Sequence, residues 1–172
     1  MTSPQDAPIL LALDAGVRES GWAIFGPGGV ITTGVVGTRT RRRIAAEVRV
    51  SRLMLCLDRL VEQWRPAAVV HSLPSGIHWP VPALDMLNAA LVHWSHGHGL
   101  QLYPYTAQEV RAAIAGHPNA TRDQLAYAIM LRLGLIGQGK TTHEWEALAV
   151  GHYHLSSQPA GADRPTGDCA QD

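Results

Sequence analysis

The chain has 172 residues, and its 14 basic and 14 acidic side chains balance to zero net charge. That length suits one domain with a sizeable core, and the charge balance is not the profile of a strongly basic nucleic-acid binder. No segment reaches the length of a membrane span, and the two distant cysteines, Cys56 and Cys169, argue against a disulfide scaffold and for a reduced compartment, expected to be the cytoplasm.

Ile9 to Leu13 predicts a buried strand that climbs to a single carboxylate, Asp14. A carboxylate inside an apolar strand is costly unless it is paired or binds a cation, so Asp14 is expected where the strand meets solvent. Gly16 then turns the backbone, and Gly21 to Phe25 reads as a second strand. Gly26-Pro27-Gly28-Gly29 is a turn cluster, and the β-branched run Val30 to Val36 is a third strand, completing an antiparallel meander. Arg39, Arg41, Arg42, Arg43, Arg49 and Arg52 crowd the segment that follows, and all but one of the basic residues of the chain are Arg, a side chain suited to phosphate.

A helical pattern runs from about Arg41 to Trp64, with Val50, Leu53, Met54, Leu57, Leu60, Val61 and Trp64 at helical spacing. Ala67 to Val70 reads as a buried strand, followed by His71-Ser72-Leu73-Pro74-Ser75-Gly76 and a loop over Ile77 to Pro82. Leu84, Leu87, Leu91 and Trp94 form the stripe of an amphipathic helix ending at Gly97 or Gly99, and Leu100 to Tyr103 is a further strand. Three helices follow, each opened by a capping box: Thr106 with Glu109, Thr121 with Gln124, Thr141 with Glu144. Ser156 to Asp172 has the composition of a disordered tail. The order βββ-α-β-α-β and then helices implies a mixed sheet with helices on its faces, whose sites gather at strand ends near the centre.

On the last helix, His143 and Glu146 are three residues apart and share a face. An Asp at a strand end, with a carboxylate and an imidazole on a packed helix, can share one divalent cation, and this donor set suits Mg²⁺ or Mn²⁺. Read alone, Glu146 near a helix start is also explained by the helix dipole, and His143 by simple exposure.

These segments resemble the RuvC family of Holliday-junction resolvases, within the RNase H-like superfamily. LALDAGVRESGWAIF is similar to the family's first strand-turn-strand, an apolar run ending Asp-x-Gly and then a Gly with an aromatic. YTAQEVRAAIAG resembles a segment with Val, a basic residue and then Gly. NATRDQLAYAI resembles the next helix, and HEWEALAVGHYH the last one, where an Asp or His, an Asp and Ala-Leu-Ala are usual. The similarity covers about Ile9 to Leu155. It implies an α/β RNase H-like fold with a mixed sheet of about five strands, a nuclease domain over 1–155 and a tail over 156–172.

The resemblance also implies Asp14 as the first metal ligand, Glu146 in place of the family's last Asp, and His143 at the other ligand position of that helix. Arg111 and Arg122 stand where the family has basic residues facing DNA. The implied activity is a structure-selective endonuclease using Mg²⁺ or Mn²⁺ on four-way or branched DNA junctions, working as a homodimer without a nucleotide cofactor. The Leu84/Leu87/Leu91/Trp94 stripe is a dimer surface or a core stripe. The family's Glu at the end of the strand AAVVHSLPSG falls on His71 or on Ser72, and the Leu-Pro-Ser-Gly alignment favours Ser72. Without that carboxylate, a second expectation is a weakened relative that binds branched DNA without cutting it. A nucleotide-binding protein of the actin and sugar-kinase type would need a second Asp-x-Gly loop and a second lobe, and this chain has neither.

Overall fold

The computed structural model describes residues 8–37, 44–74 and 81–158. Five strands form one sheet: β1 (Leu10–Asp14), β2 (Glu19–Gly26), β3 (Gly29–Gly37), β4 (Ala68–Leu73) and β5 (Gln101–Thr106). Their order is β3-β2-β1-β4-β5, antiparallel across the meander and parallel from β1 through β4 to β5. Among the described residues, five helices pack on the sheet: α1 (Ala46–Trp64), α2 (Pro82–Gly97), α3 (Ala107–Ala115), α4 (Arg122–Leu133) and α5 (Thr142–Ser157). This is the mixed, helix-flanked sheet expected from the chain order, and it has the RNase H-like arrangement that the resemblance implies. None of the described helices is long and apolar enough to cross a membrane.

Strand alternation divides the core in two. Leu11, Leu13, Ile24 and Val69 face α1 and α2, where Leu53, Leu57, Leu60, Leu87, Leu91 and Trp94 meet them. Leu10, Ala12, Ala23, Phe25 and Val70 face α3, α4 and α5 on the other side. Three residues of the α2 stripe are therefore core, Leu84 being half-buried: Leu87 and Leu91 are fully buried, and Trp94 donates its indole Nε1–H to Asp58 Oδ1 at 2.8 Å, which ties α2 to α1. A dimer surface on that stripe is corrected accordingly; on α2 it is Val92 that stands exposed.

α5 packs closely on the sheet because the contact is made of small residues. A Cβ on Gly151 would collide with the ring of Phe25 and come within 2.9 Å of Ala12 Cβ. A Cβ on Gly21 would run into the carbonyl group of His143 and lie 2.7 Å from the amide nitrogen of Glu144. Gly21 is the register partner of Asp14, so this close approach brings the start of α5 against the end of β1.

Several element ends differ from the sequence expectation. β4 continues through His71 and Ser72 to Leu73, because parallel pairing with β5 supplies backbone partners past the end of the apolar run. β5 likewise extends to Thr106 and contains Pro104, which an edge strand tolerates. α1 starts at Ala46; Arg39, Arg41, Arg42 and Arg43 lie outside the described residues. α5 runs to Ser157, past the start of the expected tail, and residues 159–172 lie outside the described residues.

Candidate active site

Alternation along β1 places Asp14 on the α5 face, at the strand's carboxyl end. The turn after it is closed by a buried hydroxyl: Gly16 N–H donates to Ser20 Oγ at 3.1 Å, and Ser20 Oγ donates back to Gly16 C=O at 2.9 Å. A Cβ on Gly16 would strike the carbonyl oxygen of Glu19, so the turn needs glycine.

α5 is fixed at its first turn by four hydrogen bonds. Thr141 Oγ1 accepts from Glu144 N–H at 3.2 Å and Thr141 N–H donates to Glu144 Oε2 at 2.8 Å, closing the capping box. Thr33 on β3 donates its hydroxyl to Glu144 Oε1 at 2.8 Å, and Lys140 Nζ donates to Thr33 Oγ1 at 2.9 Å. The carboxylate that caps the helix is thus also the one that anchors it to the sheet. Nothing in the sequence signalled Thr33, whose partners are more than a hundred positions away.

With α5 held there, His143 Nδ1 meets Asp14 Oδ2 at 2.6 Å. Glu146, one turn on, completes a group in which one ligand atom from each of Asp14, His143 and Glu146 lies within 4.8 Å of the others. All three line a cavity of about 540 Å³, together with Ser72, Arg111, Thr121 and Arg122. Two carboxylates and an imidazole, each half-buried, are a donor set a divalent cation accepts.

Arg111 and Arg122 enter the cavity from α3 and α4, and both turn to Glu146. Arg111 Nη2 donates to Glu146 Oε1 at 3.2 Å, and Arg122 Nε stands 3.4 Å from the same oxygen. Even so, burial and then the neighbouring Asp14 carboxylate push the Glu146 pKa up to about 7, against the pull of the two guanidiniums. The hydrogen bond to Asp14 raises the His143 pKa, in opposition to burial. Three helices also begin at this cavity, since Ala107, Thr121 and His143 line it from the starts of α3, α4 and α5. Their partial positive charge favours an anion there.

β4 separates the two candidates for the missing carboxylate. Leu13 is the register partner of His71, so the next residue, Ser72, comes alongside Asp14 and lines the same cavity. His71 points to the opposite face, where it is 4% exposed. It borders a separate cavity of about 380 Å³ with Val92, Ser95 and Leu102. Its Nδ1 is buried without a partner, and burial holds its pKa down at about 4. His71 is thereby corrected as a ligand position: it cannot reach a cation held by Asp14 without crossing the sheet. Among the described residues, no histidine besides His143 lines the Asp14 cavity. His98 pairs with Asp58 at 2.9 Å, and His154 is buried beside Tyr105, 2.8 Å from its hydroxyl.

No family model matches the chain. The crossover junction endodeoxyribonuclease RuvC of Anaeromyxobacter sp. (strain K) is 30% identical over 166 residues, covering 91% of this chain and 88% of that relative. The RuvC of Geobacter sulfurreducens is 28% identical over 156 residues, covering 86% and 92%. Among solved structures, Thermus thermophilus RuvC in complex with Holliday junction substrate superposes with a TM-score of 0.72 at 22% identity, over 86% of this chain and 93% of that one. That last likeness is one of fold.

Proposed function

The chain belongs to the RuvC family of crossover junction endodeoxyribonucleases, and on that premise we propose that it is a metal-dependent endonuclease that cuts four-way or other branched DNA. The observation that carries this reading is the convergence of Asp14, His143 and Glu146 in one cavity. These three side chains are the proposed ligands of a divalent cation, Mg²⁺ or Mn²⁺. When bound, such an ion supplies Lewis-acid polarisation of the phosphodiester and activation of water.

The chain's own residues do the rest. Asp14 fixes the imidazole of His143 through Nδ1 and holds a proton there in the absence of a cation. Arg111 and Arg122 keep the Glu146 carboxylate pointed into the cavity. The starts of α3, α4 and α5 draw the backbone phosphate toward it. The proposed working unit is a homodimer in the cytoplasm, with one domain over 1–155 and no nucleotide cofactor. Cleavage of a labelled four-way junction with Mg²⁺ or Mn²⁺ tests the reading. Product from the wild type and none from Asp14→Asn is expected; no product from the wild type, or equal product from both, overturns it.

One observation favours a second reading, a relative that binds branched DNA and cuts it poorly. Ser72 is neutral and occupies the cavity wall beside Asp14. Two cations about 4 Å apart need carboxylates to bridge and flank them, and among the described residues the cavity offers two carboxylates, one of them shared with two arginines. Tight junction binding without cleavage by the wild type, with cleavage appearing in Ser72→Glu, selects this reading over the first.

A further inference from the structure

The two arginines assigned to DNA from the sequence are partly neutralised by one carboxylate. Arg111 and Arg122 share Glu146. A second basic group stands on the other side of the turn that follows Asp14. Arg18 lies in that turn, and Arg49 and Arg52 project from the first two turns of α1. With Val17 and Ser20 they line a narrow notch, and Gly16 lines both this notch and the cavity of Asp14. The two are therefore neighbours across a single glycine.

Among the described residues, none of Arg18, Arg49 and Arg52 has a carboxylate within 4.0 Å, although Glu19 and Glu47 are near in sequence. Arg49 Nε is buried and makes no hydrogen bond. A buried donor left unmatched costs about 1–3 kcal/mol, so an acceptor brought from outside is favoured there. Arg18 and Arg52 are exposed, and the three guanidiniums are the residue type best suited to phosphate oxygens. α1 also opens without a side-chain cap at Ala45, and its first amides add to the positive potential, partly offset by Glu47.

We propose that Arg18, Arg49 and Arg52 form a second phosphate subsite, which grips the DNA backbone where it passes over the Gly16 turn next to the cleavage cavity. The proposal rests on the branched-DNA reading and adds the path of the strand. In this arrangement Arg111 and Arg122 organise Glu146, while the α1 side supplies the screened, salt-sensitive attraction.

The test is fluorescence anisotropy of a labelled four-way junction with the full chain, in a chelator so that nothing is cut, across a series of NaCl concentrations. Each phosphate contact contributes about 0.9 to the slope of log K against log salt on duplex DNA. Arg49→Ala/Arg52→Ala is expected to flatten the slope by about 2, and Arg18→Ala or Arg52→Ala alone by about 1. Mn²⁺ affinity by calorimetry should stay at the wild-type value, because none of these side chains belongs to the ligand group. Arg18 and Arg52 are exposed, so their single variants report even if the double variant misfolds. Wild-type slopes in both singles overturn the subsite while leaving junction binding intact. A wild type that does not bind the junction at low salt overturns the branched-DNA reading and the subsite together.

Discussion

Replacing Gly21 by alanine attacks the site through the sheet rather than through a ligand. The new methyl would run into the backbone carbonyl of His143 and lie 2.7 Å from the amide nitrogen of Glu144. These are main-chain atoms, so no rotamer change relieves the clash. Carbon contacts settle at about 3.5–4.0 Å, so the first turn of α5 must retreat by at least about 1 Å. The His143 Nδ1 to Asp14 Oδ2 distance is 2.6 Å, and a retreat of about 1 Å takes it past the range of a hydrogen bond. Overpacking of this kind costs about 1–3 kcal/mol, and a backbone obstacle puts it near about 3 kcal/mol. For a chain of this length that lowers Tm by about 6–12 °C. Urea unfolding gives the stability and calorimetry with Mn²⁺ gives the site. Both should fall in Gly21→Ala and neither in Gly28→Ala, whose Cβ would meet nothing within 4 Å. An unfolding midpoint and a Mn²⁺ affinity both equal to wild type in Gly21→Ala would refute the claim that this glycine sets the distance between α5 and Asp14.

Ser72→Glu places a carboxylate beside Asp14; calorimetry should show Mn²⁺ stoichiometry rising from one to two per chain, and an unchanged stoichiometry and affinity counts against the assigned register. His71 gives a pH dependence of stability: its pKa falls from 6.5 to about 4 on burial, so the folded chain binds fewer protons than the unfolded one between those values. Its contribution is complete above about pH 6.5 and is lost as the pH falls toward 4, by up to about 3 kcal/mol. His71→Leu should remove that acid loss, read as urea midpoints at neutral and mildly acidic pH; parallel pH profiles in the two proteins contradict it. Thr33→Val removes the hydroxyl that holds Glu144 and should cost about 1.5 kcal/mol in thermal or chemical unfolding, with no loss expected if α5 is anchored by its cap alone.

The parts of the fold that were legible in the sequence are those with a local signal. The meander showed through its turn glycines and β-branched run, and the starts of α3, α4 and α5 through three capping boxes, each of which closes in the structure. What stayed hidden depended on partners distant in sequence. The apolar run of β4 stops at Val70, so hydrophobicity alone ended the strand before the residues that decide the site. It takes the pairing of Leu13 with His71 to show that Ser72, and not His71, shares the face of Asp14. The α2 stripe looks the same whether it meets a partner or the core, and only the buried Leu87 and Leu91 distinguish the two. Arg111 and Arg122 carry a long side chain that can reach outward or inward; Glu146 holds Arg111 inward, while Arg122 pairs with it and stays 61% exposed.

The seam of small residues beneath α5 has a consequence for how this protein can diverge. Ala12 and Gly21 lie under the same helix that carries His143 and Glu146, and Gly151 lies within it. A bulkier residue anywhere along that seam tilts or lifts the whole rod, so a neutral-looking change far from the cavity reaches the chemistry by leverage.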